Sequence, residues 1–307
     1  MRVAYLGTSP FAAAVLRSLA GTSHRPVLVV TRPDRPRGRG RRLAAPPVAE
    51  AARELGLPLR QPASVNDDGA RRQIRDARPD VLVVCAFGAL IKEPLLSDHE
   101  LLNIHPSLLP RWRGAAPIER AIMAGDERTG VCIMRLTAGL DEGPVALSAA
   151  QPITDEDTYG TLSQRLQRLA SALLIDALDA GIAGLSFHEQ VGDGVSYAEK
   201  ITAEDRVLAP AQTGEDAAAL DRRVRALTPH IGAAVLFGDG ERLGVSAAHA
   251  RAARDGDPAV GELDLDGERP ALGCAQGTVL ELDEVQPPGR RTMDAAAFLR
   301  GRREPRR

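Results

Sequence analysis

This chain is nearly without lysine. Lys92 and Lys200 are its only lysines among 39 basic residues, so its positive charge is almost entirely arginine. Alanine is abundant as well, a pairing that a GC-rich genome produces, and arginine number alone is therefore not read as nucleic-acid binding. Cysteine is scarce too: Cys85, Cys132 and Cys274 are odd in number and far apart, which excludes a disulfide framework and a zinc-ligand spacing. Each is expected to be a buried small hydrophobe. No apolar stretch approaches about 18 residues, so no membrane-spanning helix is expected. Residues 1–20 open on a strand-like run, with no basic region, apolar segment and cleavage site in series. A soluble, cytoplasmic protein is the expectation.

A dinucleotide fingerprint is also missing. The apolar run Arg2–Leu6 is followed by Gly7-Thr8-Ser9-Pro10 and then a helical pattern at Phe11, Val15, Leu16 and Leu19, with Ser9 placed to cap and Pro10 at the first helical position. Further apolar runs lie at Val27–Val30, Asp80–Ala86 and Leu101–His105, with a helical pattern at Pro47–Leu55. Continuous apolar strands alternating with helices predict an α/β, Rossmann-like fold with a mostly parallel sheet covered on both faces. Its first turn has a single glycine and no G-x-G-x-x-G, which argues against a nicotinamide or flavin dehydrogenase. Gly130–Leu136 and Val145–Ala149 add two strands. Thr154-x-x-Asp157 reads as the cap of a long helix with an apolar face at Leu162, Leu166, Leu169, Leu173 and Ala177.

At 307 residues, two domains are expected. Residues 1–186 form the Rossmann-like part. Residues 187–205, aperiodic and containing Gly192-Asp-Gly194, read as a linker, and 206–307 as a small C-terminal domain. That last stretch holds one amphipathic helix through Leu220, Val224 and Leu227, then short strands at Ala233–Phe237, Arg242–Ser246, Gly261–Leu265, Ala271–Ala275 and Thr278–Glu284. Strands at such spacing predict an OB-like β-barrel. The net charge of −2 hides uneven placement: Arg32, Arg35, Arg37, Arg39, Arg41 and Arg42 cluster against Asp34 alone, and a second basic run ends the sequence. With Pro33, Pro36, Gly38 and Gly40 among them, the first cluster is expected to hold no regular helix or strand.

The most informative stretch is Leu101-Leu-Asn-Ile-His-Pro-Ser-Leu-Leu-Pro-Arg-Trp-Arg-Gly114, followed by Gly139-Leu-Asp-Glu-Gly143. Strand side chains alternate, so Asn103 and His105 leave the sheet on one side, and Pro106 and Pro110 stiffen the loop that follows. A lone histidine at a strand end is as a rule structural. His105 takes on a chemical reading only with Asn103 beside it and Asp141 in a glycine-flanked loop. Trp112 is expected to anchor that loop by packing. His24, His99, His188, His230 and His249 lie outside any constellation.

These motifs, with Arg111-Trp-Arg-Gly-Ala-Ala-Pro117 and Ala124-Gly-Asp-x-x-Thr-Gly130, resemble those of the folate-dependent formyltransferases. The segment Thr31-Arg-Pro-Asp-Arg-Pro-x-Gly-Arg-Gly-x-x-Leu43 is similar to the insertion carried by the branch that acts on charged tRNA, and weaker likeness extends through Tyr197-Ala-Glu-Lys200 to Arg225-Ala-x-x-Pro229. The resemblance implies transfer of a formyl group from 10-formyltetrahydrofolate to the amino group of methionyl initiator tRNA, at the start of translation. It implies a folate site at Phe87, Gly88, Leu90, Ser107, Leu108, Leu109 and Pro110, and tRNA contact by Arg35, Arg37, Arg39, Arg41 and Arg42. It implies no metal, and a monomer is expected.

The catalytic residues it implies suit the reaction. Formyl transfer between nitrogens passes through a tetrahedral intermediate whose oxyanion needs donors already in place. Asn103 and His105 can donate, the latter best as imidazolium, and Asp141 can orient the ring and help move the proton. Three other readings use the same residues: a sugar-nucleotide N-formyltransferase, a 10-formyltetrahydrofolate hydrolase, or a folate- or RNA-binding protein without activity.

Overall fold

A computed structural model describes residues 1–37, 42–238 and 240–303 of the chain. Its contacts gather into two compact units: Met1–Pro117, Arg128–Pro152 and Ser163–Ala198 form the first, while Ile118–Glu127, Ile153–Leu162 and the described residues from Glu199 onward form the second. Residues 187–198, part of the expected linker 187–205, thus belong to the first unit by their contacts.

The first unit starts with β1 (Val3–Gly7), buried throughout as a strand covered on both faces must be. Ser9 caps α1 (Pro10–Ala20): its hydroxyl accepts the Ala12 N–H at 3.2 Å, and Pro10 sits in the first turn, where its missing N–H leaves no bond unmade. After β2 (Leu28–Val30), the arginine cluster departs from expectation. β3 (Arg35–Arg37) and β4 (Arg42–Ala44) pair antiparallel as a separate ribbon. Pairing lets the facing backbone groups of the two strands meet, and a two-stranded ribbon is all edge, where proline is tolerated. Weak strand propensity is overridden.

The chain continues through α2 (Pro47–Glu54), β5 (Leu59–Arg60), α3 (Asp68–Ala77), β6 (Val81–Cys85), α4 (Leu95–Asp98), β7 (Leu101–His105) and the short β8 (Arg113–Gly114). Then follow α5 (Pro117–Ala124), β9 (Arg128–Arg135), β10 (Val145–Pro152), α6 (Tyr159–Ala180) and β11 (Tyr197–Ala198), which lies parallel to β8. The main sheet has the order β10-β9-β7-β6-β1-β2-β5. Its strands from β7 to β5 are parallel, and β9 and β10 are antiparallel additions. From β1 the chain runs outward to β2 and β5, then returns to the other side of β1 for β6 and β7. The order reverses there, and ligand crevices of α/β sheets open at the carboxyl ends of strands flanking such a reversal.

The long helix is present at 159–180, and three of its five expected face residues, Leu162, Leu166 and Ala177, are buried. Leu162, Leu166, Ala170, Leu174 and Ala177 are buried, whereas Leu169 and Leu173 are half-exposed. In mid-helix the stripe steps by four through the small Ala170 to Leu174, where the expected face takes Leu169 and Leu173 instead. Its cap is shifted as well. Asp157 takes the N–H and hydroxyl of Thr154 in the preceding turn, and the reciprocal pair at the helix start is Thr158 with Thr161.

In the second unit α7 (Pro210–Thr213) precedes α8 (Ala217–Leu227), which Asp216 caps by accepting the Ala219 N–H at 2.8 Å. β12 (Ala233–Phe237), β13 (Glu241–Ala252), β14 (Leu263–Asp264), β15 (Ala271–Cys274), β16 (Thr278–Gln286) and β17 (Met293–Asp294) build an antiparallel sheet of order β12-β13-β16-β15-β14, with β17 on β16, and α9 (Ala295–Arg303) follows. Leu220, Val224 and Leu227 of α8 pack on Val235, Leu243, Val245, Leu280 and Val285. The expected strands are present, and register shifts between Val245 and Ala248 curl the sheet. Among the described residues it forms a curled half-barrel, in keeping with the expected OB-like domain.

No helix among the described residues is long and apolar enough to cross a membrane, and no group of three or more His, Cys, Asp or Glu there is placed to hold a metal ion. The three cysteines are buried and free. Burial pushes the Cys85 thiol up to about 12 and those of Cys132 and Cys274 up to about 11. A disulfide-exchange reagent at pH 8 is therefore expected to leave the native protein untouched and to titrate every thiol once denaturant is added; fast reaction of the native protein would contradict this burial.

Candidate active site

Asn103 and His105 come from one strand and project to one face, as alternation demands. Both are buried, at 8% and 4% exposure, which for an amide and an imidazole requires partners. His105 has them. Its Nε2 lies 2.8 Å from the carbonyl oxygen of Trp112, and a carbonyl only accepts, so Nε2 carries hydrogen. Its Nδ1 lies 3.6 Å from Oδ2 of Asp141.

Asp141 sits in the loop between β9 and β10, which folds back so that its carboxylate meets β7. Oδ1 is 3.3 Å from Nδ2 of Asn103, and Oδ2 accepts the Gly114 N–H at 2.9 Å. The Asn103 amide, the Gly114 N–H and the His105 ring thus converge on one carboxylate. Asp141 holds φ +50°, a left-handed conformation that a residue with a side chain adopts only when its surroundings enforce it.

The supports come largely from backbone. Trp112 (φ +64°) gives its carbonyl to His105, while its N–H donates to Ser196 Oγ at 3.0 Å. Gly114 has φ +120°, and a Cβ there would lie 2.8 Å from the carbonyl oxygen of Ala198, so only glycine fits beneath β11. The Arg113 guanidinium donates to Oε1 of Gln190 at 3.0 and 2.8 Å, and Nε2 of Gln190 donates to the carbonyls of Asp141 and Gly143 at 2.7 and 2.9 Å. Sequence reasoning missed Gln190, Ser196 and the Trp112 carbonyl. The two side chains lie in an aperiodic stretch, and a backbone carbonyl has no residue-type signal. The Trp112 ring carries the Arg111 guanidinium at 4.3 Å.

The loops expected to hold folate leave β6 and β7, neighbouring parallel strands, at the same edge. Their side chains divide. Gly88 (φ +70°) and Leu90 are exposed, the latter by 67%, and Leu108, Leu109 and Pro110 are half-buried. Phe87 is buried with the sheet core. Ser107 is fully buried, and its hydroxyl donates to the Arg111 carbonyl at 2.6 Å. These two side chains shape the loops from within, so any contact they make with a ligand is through backbone.

Of the arginines expected to meet tRNA, Arg35 is exposed on β3. Arg37 and Arg42 have described backbone only, and Arg39 and Arg41 lie outside the described residues, as do 304–307 of the terminal basic run. Arg32 turns inward and donates to the Gly88 carbonyl at 2.8 Å.

An amide, an imidazole and a carboxylate gathered at the carboxyl end of β7 in an open α/β sheet, with no dinucleotide turn after β1, suit a group-transfer enzyme. Residues 1–178 match the formyl transferase family and residues 200–303 its C-terminal domain, and the chain belongs to that family. Along nearly its whole length it is similar to methionyl-tRNA formyltransferases: that of Halorhodospira halophila is 43% identical, covering 98% of this chain and 96% of the relative, and that of Stenotrophomonas maltophilia K279a is 42% identical, covering 99% and 98%. Among solved structures, the sugar 3N-formyl transferase WlaRD has a TM-score of 0.66 at 12% identity, covering 95% of this chain and 99% of its own. HypX from Aquifex aeolicus in complex with tetrahydrofolic acid has a TM-score of 0.64 at 17% identity and covers 97% of this chain, which spans 47% of HypX. At such identities the likeness is one of fold.

Proposed function

We propose that the protein transfers the formyl group of 10-formyltetrahydrofolate to the amino group of methionine on charged initiator tRNA. The observation that carries the chemistry is the meeting of Asn103, His105 and Asp141 at one spot, with separations of 3.3 and 3.6 Å. A carbonyl carbon attacked by an amine gains negative charge on its oxygen, and donors fixed beforehand lower that barrier most. Asn103 offers its amide N–H there. His105, its Nε2 anchored on Trp112, offers Nδ1–H. Asp141 orients the ring and takes up the proton that the attacking amine must lose, for delivery to the departing nitrogen.

The donor is a co-substrate, and the loops after β6 and β7 suit it. Exposed backbone at Gly88 offers hydrogen-bonding groups to a pterin edge, and the exposed Leu90 side chain with half-buried Leu108 and Leu109 offers apolar cover to its ring. Methionyl-tRNA as acceptor is supported by the near-full-length similarity to enzymes of that name. Arg35, Arg37, Arg39, Arg41 and Arg42 are assigned to its phosphates, which guanidinium groups bind in pairs.

The deciding assay supplies 10-formyltetrahydrofolate with methionyl initiator tRNA, with an amino-sugar nucleotide, or with water alone. Formylmethionyl-tRNA and an equal amount of tetrahydrofolate are expected from the first arm, with little turnover in the others. Product on the sugar nucleotide only, or folate release at the same rate in water, would replace this reading with the sugar or the hydrolase one.

A further inference from the structure

We infer that Gln190 is a positioning residue for the Asp141 carboxylate, acting on the backbone of its loop and making no contact with substrate. The inference rests on the proposed role of Asp141. That residue holds a left-handed conformation inside an irregular loop, so something outside the loop must hold it. Gln190 does so from both sides of Glu142. One amide nitrogen donates to the carbonyl of Asp141 at 2.7 Å and to that of Gly143 at 2.9 Å, which uses both of its hydrogens.

The other end of the same amide fixes the opposite wall. Oε1 accepts Nε and Nη2 of Arg113, a buried residue whose guanidinium also lies 3.6 Å from Glu142. Arg113 stands between Trp112, whose carbonyl holds the imidazole, and Gly114, whose N–H holds the carboxylate. Gln190 therefore ties the loop that carries the carboxylate to the strand that orients both reacting side chains. Its amide is fully engaged within the protein, which separates it from a residue that binds substrate.

Two substitutions divide its duties. Gln190→Met keeps length and burial but removes every hydrogen bond. Gln190→Glu keeps an acceptor for Arg113 yet cannot donate to the two carbonyls, and sets a negative oxygen against them. If donation to the loop is what matters, both variants fail alike; if Gln190 serves only to partner Arg113, the Glu variant behaves as the parent.

Both variants are expected to bind donor and charged tRNA with KM within about twofold of the parent, while kcat falls by roughly 10- to 100-fold, the scale of an ångström-level misplacement of a catalytic group. Adding Gln190→Met to Asp141→Asn should lower kcat no further, because a residue acting only through the carboxylate has nothing left to act on. Parental kcat in Gln190→Glu, or a full multiplicative loss in the double variant, overturns the inference. So does loss of folding in both single variants, since that makes Gln190 a general structural support. Failure of the parent itself to formylate methionyl-tRNA sinks the reading of the site instead, and the two outcomes are told apart by that control.

Discussion

Asn103→Ala, His105→Ala and Asp141→Asn are each expected to slow formyl transfer on the order of 10²-fold or more, with the protein still folded. The geometry gives each loss its own cause. Removing Asn103 takes away one donor to the developing oxyanion. Removing His105 takes away the other and orphans the Trp112 carbonyl, at a stability cost of about 1–3 kcal/mol. Asp141→Asn keeps the shape but answers three converging groups with one that is itself half donor, so the loop turns or the imidazole loses its carboxylate partner. Single-turnover rates with saturating donor, beside thermal unfolding of each variant, test this. A folded variant with nearly the parent rate removes that residue from the mechanism. Asn103 and His105 act on one oxygen, so their double variant should fall far short of the product of the single losses.

What the sequence made legible was whatever is encoded by periodicity or by a local cap. β1, β6 and β7 are continuous apolar runs because both faces of a parallel sheet are covered, and α1 is announced by Ser9 and Pro10. Alternation along β7 placed Asn103 and His105 on one face, and a glycine-flanked aspartate marked the third member. What stayed hidden depends on contacts between distant segments. Gln190 lies in a stretch with no periodicity, and its four hydrogen bonds reach residues some 47 to 77 positions away. Residue type also says little about direction in a loop: Phe87 and Ser107 stand within the motifs of the folate loops, yet one ring fills the core and one hydroxyl closes a turn. The arginine ribbon shows the opposite error, in which composition suggests no strand where β3 and β4 pair in register.

The second large effect separates two glycines of one motif. Gly139 and Gly143 bracket Asp141, and from sequence they look equivalent. They are not. A Cβ added to Gly143 would land on the backbone oxygen of Arg135, closer than real atoms approach. Arg135 ends β9 and is registered opposite Leu102 of β7, so the sheet cannot give way. The loop must move instead, which carries the Gly143 carbonyl off Gln190 and the carboxylate off His105. A Cβ on Gly139 would meet chiefly the far end of Glu142, a half-exposed side chain that can swing outward by giving up its 3.6 Å contact with Arg113, and what is left is a tight 3.2 Å approach to the Glu142 Cβ. Gly143→Ala is therefore expected to lose roughly 10²-fold in kcat, as a displaced catalytic group does, and about 1–3 kcal/mol of stability from the overpacked backbone. Gly139→Ala should stay within about threefold of the parent in rate, since surface changes usually move stability by no more than about 0.5 kcal/mol. Measuring kcat and the thermal midpoint for both decides the matter. Equal loss in the two variants would mean that the motif needs glycine for loop freedom in general, and that the approach of Gly143 to β9 is not what sets the carboxylate in place.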